Sequence, residues 1–600
     1  MRAPSLRAAT LAAAAVAAPA AAATEAGRAF DYVVAGGGTC GLALANRLSA
    51  DAHASVAVVE PGSDVRGNAN VTGVARWLDT QGTAVDWQYL SAAQAGAGNR
   101  TVVYHAGKAV GGTSAINGMT YIRGDAAEID AWEALGNDGW NWDALYPYYK
   151  QVEHWTPPTA AQVSAGGTYD PEFHGDGGPL DVCFPPELSN GSFYQVARDT
   201  WDALGYPKIR DVNGGSVRGF DVWPMTVDRD ADVREDAARA YYWPVADRPN
   251  LTLIKGTVTR LLWQEETTAH PCGSGGVSAS GVEYLDSDGV VRVLEVKKEV
   301  ILSAGSLRTP PILERSGIGN PRILGKLGID TVVELPGVGE NLQDQPNLSL
   351  VYSGKINETG YVPYATFATA QDVFGNSSST IASTTRSSLS EWAERTASRT
   401  GGGLDAGALE KIFQVQHDLI FKRNVTIAEI LTTASGDLLV SAFWALLPFS
   451  RGGVHLRSTS HDDVDDPVID PAFFDIAFDL DTQVAIGRLA QAYWAEMPVA
   501  DLVVENISPG TSVLPLPASD EQWESLVTEA FTPNFHPIGT AAMMARELGG
   551  VVDPELRVYG TGNVRVVDAS VLPLQISGHL TATLYAVAER ASEMIRTTTG

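Results

Sequence analysis

The sequence predicts an α/β fold in which a doubly wound part is interleaved with an α+β part of one sheet plus helices. Three observations predict it. Phe30–Ala35 is a short apolar, β-branched run, followed by glycines, a helical pattern and a second strand-like run ending at Glu60. Strand-like runs separated by polar turns recur between Leu251 and Leu302. Asn563–Asp568 reads as one more strand, and a long helical pattern follows His579. At about 150 residues per domain, 600 residues allow about four domains, and large α/β chains of this size also form two interleaved ones.

Arg2 and Arg7 precede an Ala/Val/Leu run with A-x-A-like sites near Ala20–Ala23, the grammar of a signal peptide over 1–23 and of a secreted protein. Gly36, Gly38 and Gly41 then occupy the positions of G-x-G-x-x-G. Gly36 permits the tight turn, Gly38 lets backbone approach a pyrophosphate, and Gly41 lets the helix pack on the strand. The helix start offers free N–H groups to phosphate. Glu60, 19 residues after Gly41, is placed to accept hydrogen bonds from a ribose diol, which argues against a 2′-phosphate and leaves NAD and FAD open.

Gly107–Ser114 is a second backbone-exposing turn, able to face a cofactor or to be a plain hairpin. Residues Ala126–Tyr149 are Trp-rich and amphipathic. Leu251–Ile254, Val258–Trp263, Gly281–Tyr284, Val291–Val296 and Val300–Leu302 read as five strands. Asn376–Arg399 is polar and helical, more a lid or surface insertion than a linker. His536 and His579 flank the last strand; one histidine alone is more often structural than catalytic.

Composition excludes several function classes. Charged residues are 19% and hydrophobic ones 44%, as in an ordered globular chain. The net charge of −29 opposes phosphate backbones, so no nucleic-acid partner is expected. No later stretch is long and apolar enough to predict a membrane span. Nine N-x-S/T sequons accord with export: Asn70, Asn99, Asn190, Asn250, Asn347, Asn357, Asn376, Asn424 and Asn506. Cys40 reads as a buried free thiol, Cys183 and Cys272 as a pair that could join, and nothing as a metal site.

The chain from Phe30 onward resembles the glucose-methanol-choline (GMC) flavin oxidoreductases. Gly107–Tyr121 is similar to the first family signature, Gly305–Gly319 matches the second, and Gly337–Asp344 resembles a further block. Fungal secreted FAD-dependent glucose dehydrogenases are the nearest likeness. The resemblance implies a bound FAD, with an FAD-binding domain over 28–70, 107–125, 250–345 and 530–600 and a substrate-binding domain over 71–106, 126–249 and 346–529. It implies cofactor contacts from Gly36, Gly38, Thr39, Gly41, Glu60, Gly112, Thr113, Asn117, Gly118, Met119, Val258 and Asp568. His536 is implied as the base that takes the hydroxyl proton and His579 as the group that fixes the hydroxyl. The start of the last helix, after Gly578, is expected to support the reduced ring. An alcohol substrate, a quinone or dioxygen as electron acceptor, and a monomer or homodimer complete the expectation, with a dehydrogenase favoured.

Two departures bear on the substrate, expected to lie near Asn534, Thr532, Ala442 and Trp444. The sugar-oxidising relatives carry Arg where this chain has Thr532, and Glu where it has Ala442. Losing two partners of sugar hydroxyls, at about 1–3 kcal/mol each, predicts an alcohol or hemiacetal poorer in hydroxyls than glucose, such as a secondary metabolite. The alternatives are a glucose or sugar 1-dehydrogenase, a non-redox lyase or cyclase with structural FAD, and a binding protein.

Overall fold

In a computed structural model that describes residues 28–189, 191–264 and 276–598, the β-turn-α-β unit forms as Ala29–Ala35, Thr39–Leu48 and Val56–Glu60. Ala29–Ala35 lies between Val56–Glu60 and Val291–Leu302, parallel to both. Val56–Glu60 pairs on its other side with Leu251–Trp263, and Val291–Leu302 with Val564–Val566, again in parallel. Val56–Glu60 is buried throughout, as expected of a parallel strand covered on both faces. Helices Thr39–Leu48 and Leu580–Thr598 pack together over this sheet.

The runs expected at Leu251–Ile254 and Val258–Trp263 are one strand, and so are Val291–Val296 and Val300–Leu302. The polar residues between them are not turns. Within the same sheet the second half of Leu251–Trp263 and the first part of Val291–Leu302 pair antiparallel with Ala279–Asp286, where one face meets water.

A second six-stranded sheet is antiparallel. Its order is Val503–Ser508, Pro346–Glu358, Thr426–Ala445, Tyr364–Thr369 and Gly219–Val222, with Thr532–Pro533 beside the start of Pro346–Glu358. Helix Ala477–Ala495 covers the long central strand: its Gln483 accepts from the Ala445 N–H and donates to the Phe443 carbonyl. The 376–399 segment is mostly one helix, Ser378–Arg399, packed along Ala406–Phe421. Among the described residues no helix is long and apolar enough to cross a membrane.

The expected leader, Asn190 and Cys272 lie outside the described residues. Cys183 is buried and donates to the Val227 carbonyl; Cys40 is buried in the first turn of its helix rather than in a loop. Two sequons do not suit a glycan. The Asn250 amide nitrogen donates to three carbonyls, of Ser49, Asp51 and Ala54. Asn347 lines the main cavity and donates to Asn534. Asn99, Asn357, Asn376 and Asn424 are exposed, and Asn70 and Asn506 partly so.

Candidate active site

A cavity of about 1160 Å³ runs from the first glycine turn to the histidine pair. That exceeds the usual ligand pocket and leaves room for a dinucleotide with a second molecule beside it. At one end the turn is set by backbone geometry. Gly36 has φ +110°, and a Cβ there would lie 2.3 Å from the Ser303 carbonyl oxygen. A Cβ on Gly41 would lie 2.0 Å from the Gly36 oxygen; Gly41 works by close packing and does not line the cavity. Gly38 faces the cavity and caps the helix without a side chain, leaving first-turn N–H groups for an anion. The second glycine turn closes on the first: the Gly111 N–H donates to the Gly37 carbonyl at 2.8 Å, and Gly112 lies against Gly38.

Glu60 accepts from the Gly37 and Gly62 N–H groups at 2.8 and 2.6 Å. Burial pushes its carboxyl up to about 7, against those two bonds. Asp568 ties the C-terminal segment to the second signature by accepting from the Gly305 N–H at 2.9 Å and the Thr309 hydroxyl at 2.6 Å. Burial raises its carboxyl as well. Thr39, Gly112, Thr113, Asn117, Gly118, Met119 and Val258 also line the cavity, so every expected cofactor residue except Gly41 does. Gly-shaped approach, free helix N–H groups and a buried acid together fit an adenine dinucleotide.

At the other end stand His536 and His579, ring centres 5.1 Å apart and planes at 84°. The segment before His536 is bent by Phe535, whose φ of +60° is rare for a non-glycine residue. Two bonds hold it there: the Asn534 N–H to the Gln345 carbonyl, and the His536 N–H to the Asp344 carboxylate at 2.9 Å. Burial pushes the Asp344 carboxyl up to about 7.

The imidazole of His536 is oriented by an amide. Gln345 donates its side-chain nitrogen to the Leu446 carbonyl, so its oxygen is the atom 2.9 Å from His536 Nδ1. An amide oxygen only accepts, so this contact favours hydrogen on Nδ1 and a bare Nε2, against the Asn534 side-chain nitrogen 3.1 Å from the same Nδ1. Asn534, held by Asn347, donates to the same oxygen at 3.1 Å. Burial, and then neighbouring His579, push His536 well below the usual imidazole range. The bare nitrogen thus stays unprotonated in mildly acidic water.

His579 Nε2 lies 3.0 Å from Glu429, whose side chain is fully buried and whose second oxygen has no partner among the described residues. Ala442 lines the cavity as expected, and Glu429 stands 13 residues earlier on the same strand, Thr426–Ala445, outside the cavity lining. A buried acid in an apolar strand is a signal the sequence displays, since such residues are seldom buried unpaired. Thr532 does not reach the site: it is exposed and outside the cavity lining, and its buried neighbour Pro533 lies outside that lining too. Asn534 and Trp444 line the cavity as expected, with the Trp444 ring edge-on to His579. Gln345, Asp344 and Glu429 are the residues sequence reasoning missed.

Family models described as GMC oxidoreductase match residues 30–347 and 448–588. A glucose oxidase-like protein, fsoC of Humicola fuscoatra, is 49% identical over 569 residues, 95% of each chain. A glucose oxidase of Penicillium chrysogenum is 34% identical over 95% of this chain and 92% of its own. Among solved structures, an FAD-dependent oxidoreductase from Chaetomium thermophilum matches with a TM-score of 0.84 and 30% identity, covering 95% of this chain and 99% of that one. A fungal aryl-alcohol oxidase matches with a TM-score of 0.81 and 27% identity over the same shares.

Proposed function

The chain belongs to the GMC oxidoreductase family, and on that premise we propose that it oxidises the CH–OH group of an apolar-bodied alcohol or hemiacetal to a carbonyl or lactone. FAD is its cofactor. The observation that carries the reaction is the bare Nε2 of His536, opposite His579 at the end of the cavity. A hydride leaves an alcohol carbon readily only as the hydroxyl proton departs. His536 Nε2 takes that proton, and Gln345 keeps the ring in the accepting tautomer. His579, turned by Glu429, holds the hydroxyl against it. FAD supplies the acceptor of the hydride when bound. Gly36, Gly38, Thr39 and Glu60 would hold the adenosine and pyrophosphate, and Gly112–Met119 the ring side. The first sheet and its two glycine turns form the cofactor part in this reading, and the antiparallel sheet the substrate part.

The substrate wall supports a weakly hydroxylated body. Trp223, Met225, Val362, Leu431, Ala442 and Trp444 line it. Such a surface cannot repay the desolvation of many sugar hydroxyls. A second reading, sugar oxidation at C1, is favoured by relatives named glucose oxidases. The same names, and that of the aryl-alcohol oxidase, favour dioxygen as acceptor over the quinone expected from sequence. The Ala-rich N-terminus and exposed sequons support a secreted, glycosylated protein.

The test is a panel of aryl, terpenoid and sugar alcohols assayed side by side with oxygen and a quinone dye. Turnover of apolar alcohols with flavin bleaching under anaerobic conditions is expected. Millimolar D-glucose as the best substrate overturns the substrate reading. Product formation without bleaching overturns the redox reading in favour of a lyase.

A further inference from the structure

Arg234 sits behind the cofactor wall and is 1% exposed. Its Nε donates to the Val71 carbonyl at 2.8 Å. Its Nη1 donates to the Ser114 and Asn117 carbonyls and to the Asn117 side chain, at 3.1, 2.7 and 2.8 Å. Nη2 has no partner among the described residues. One guanidinium thus spans two segments and two carbonyls of the turn that lines the cavity through Ser114 and Asn117. The same Asn117 oxygen also accepts from the Met119 N–H, and Met119 holds φ +60°. Without the bracket, this strained turn loses an over-determined contact.

The charge on Arg234 is not cancelled by an ion pair among the described residues. The acids beside it in sequence are otherwise engaged. Glu235 pairs with Arg239 at 2.8 Å. One Asp236 oxygen accepts from the Ala238 and Arg239 N–H groups and also faces Gly111. Burial pulls the guanidinium down to about 10, and Asp236 is the strongest influence opposing that shift, so Arg234 remains a cation at neutral pH. A fixed cation in a poorly polarisable interior favours any neighbour that becomes more negative. Reduction makes a flavin more negative.

We propose that Arg234 is a positioning residue for the 112–119 turn whose uncancelled charge also raises the reduction potential of the bound FAD. This rests on the FAD-binding part of the reading above and not on the identity of the alcohol.

The experiment measures the two-electron midpoint potential of purified holoenzyme against reference dyes, with FAD retention on gel filtration alongside. Arg234→Gln is expected to lower the potential by about 30 mV or more, a tenfold change in the reduction equilibrium. Arg234→Lys keeps the charge but cannot span the same acceptors; it is expected to hold the potential within that limit while losing FAD faster. Asp236→Asn removes the opposing charge and is expected to raise the potential. If Arg234→Gln fails to hold FAD, Asp236→Asn decides alone. An unchanged potential in Asp236→Asn, or equal falls in the Gln and Lys variants, overturns the proposal. Wild-type protein that retains FAD but oxidises no alcohol would refute the substrate reading and leave this test intact.

Discussion

The glycine cradle and the histidine pair are built by opposite means. The cradle spans 25 consecutive residues, Gly36–Glu60, and works through backbone: positive φ, missing Cβ atoms and unclaimed N–H groups. The pair works through side chains that arrive from distant segments, with Gln345 191 residues from His536 and Glu429 150 residues from His579. A backbone device has few chemical solutions and announces itself locally. A side-chain device only needs the right atom to arrive, from anywhere in the chain. Binding and turnover should therefore fail separately when each is damaged.

The largest expected effect breaks that comparison most directly. His536→Ala removes the proton acceptor and none of the cradle. We expect kcat to fall by about 10²–10⁴-fold, the usual worth of a general base, with the visible flavin spectrum and FAD content kept. Stopped-flow anaerobic bleaching measures the reductive step alone. Loss of FAD together with activity would show that the two regions are one.

Next comes the cradle's acid. Glu60→Gln is expected to weaken FAD binding about tenfold or more, since a bond to an ionised acceptor is the stronger kind. The apoprotein should respond in the opposite sense. The Glu60 carboxyl stands at about 7 in the fold against its ordinary 4.5, so the folded state binds the proton more tightly. Its contribution to stability is full below pH 4.5 and is lost as pH rises through 7. At about 1.4 kcal/mol per unit the loss has an upper bound of about 3 kcal/mol. Apoprotein denaturation from pH 4 to 8 should show this slope in wild type and not in Glu60→Gln. Parallel slopes would mean that Glu60 stays ionised.

The same contrast explains what the sequence made legible. The β-turn-α-β unit and its glycines could be read because each sits in a local pattern, and the two histidines because the chain resembles a family that places them. The Glu429 carboxylate could not be placed: a 20-residue strand crosses the sheet, and which residue reaches His579 depends on pairing register. Thr532 misled for a related reason. The resemblance put it near His536, but side chains alternate along a strand, and here Thr532 is exposed and Pro533 buried. The five expected strands became three because polar residues near the point where a long strand changes partner within one sheet do not end it.

The smallest expected effect tests the amide behind the base. In Gln345→Leu, His536 loses the acceptor that holds hydrogen on Nδ1, and Asn534 remains 3.1 Å away with its nitrogen facing the ring. That nitrogen donates, so it favours a bare Nδ1 and places the hydrogen on Nε2, the wrong side for accepting a proton from substrate. The base is then present, neutral and in the wrong tautomer for part of the population. A tautomer preference of about 1.4 kcal/mol corresponds to a tenfold fall in kcat/KM. Gln345→Glu separates geometry from charge. A carboxylate also accepts from Nδ1–H, so the tautomer returns, but the added negative charge favours imidazolium. In wild type, burial holds His536 below its usual range, so the acid limb of kcat/KM should lie below pH 6.5. Gln345→Glu should move that limb upward while restoring activity at higher pH, whereas Gln345→Leu should lower the plateau at every pH. If both variants keep the wild-type plateau and limb, Gln345 does not orient the base.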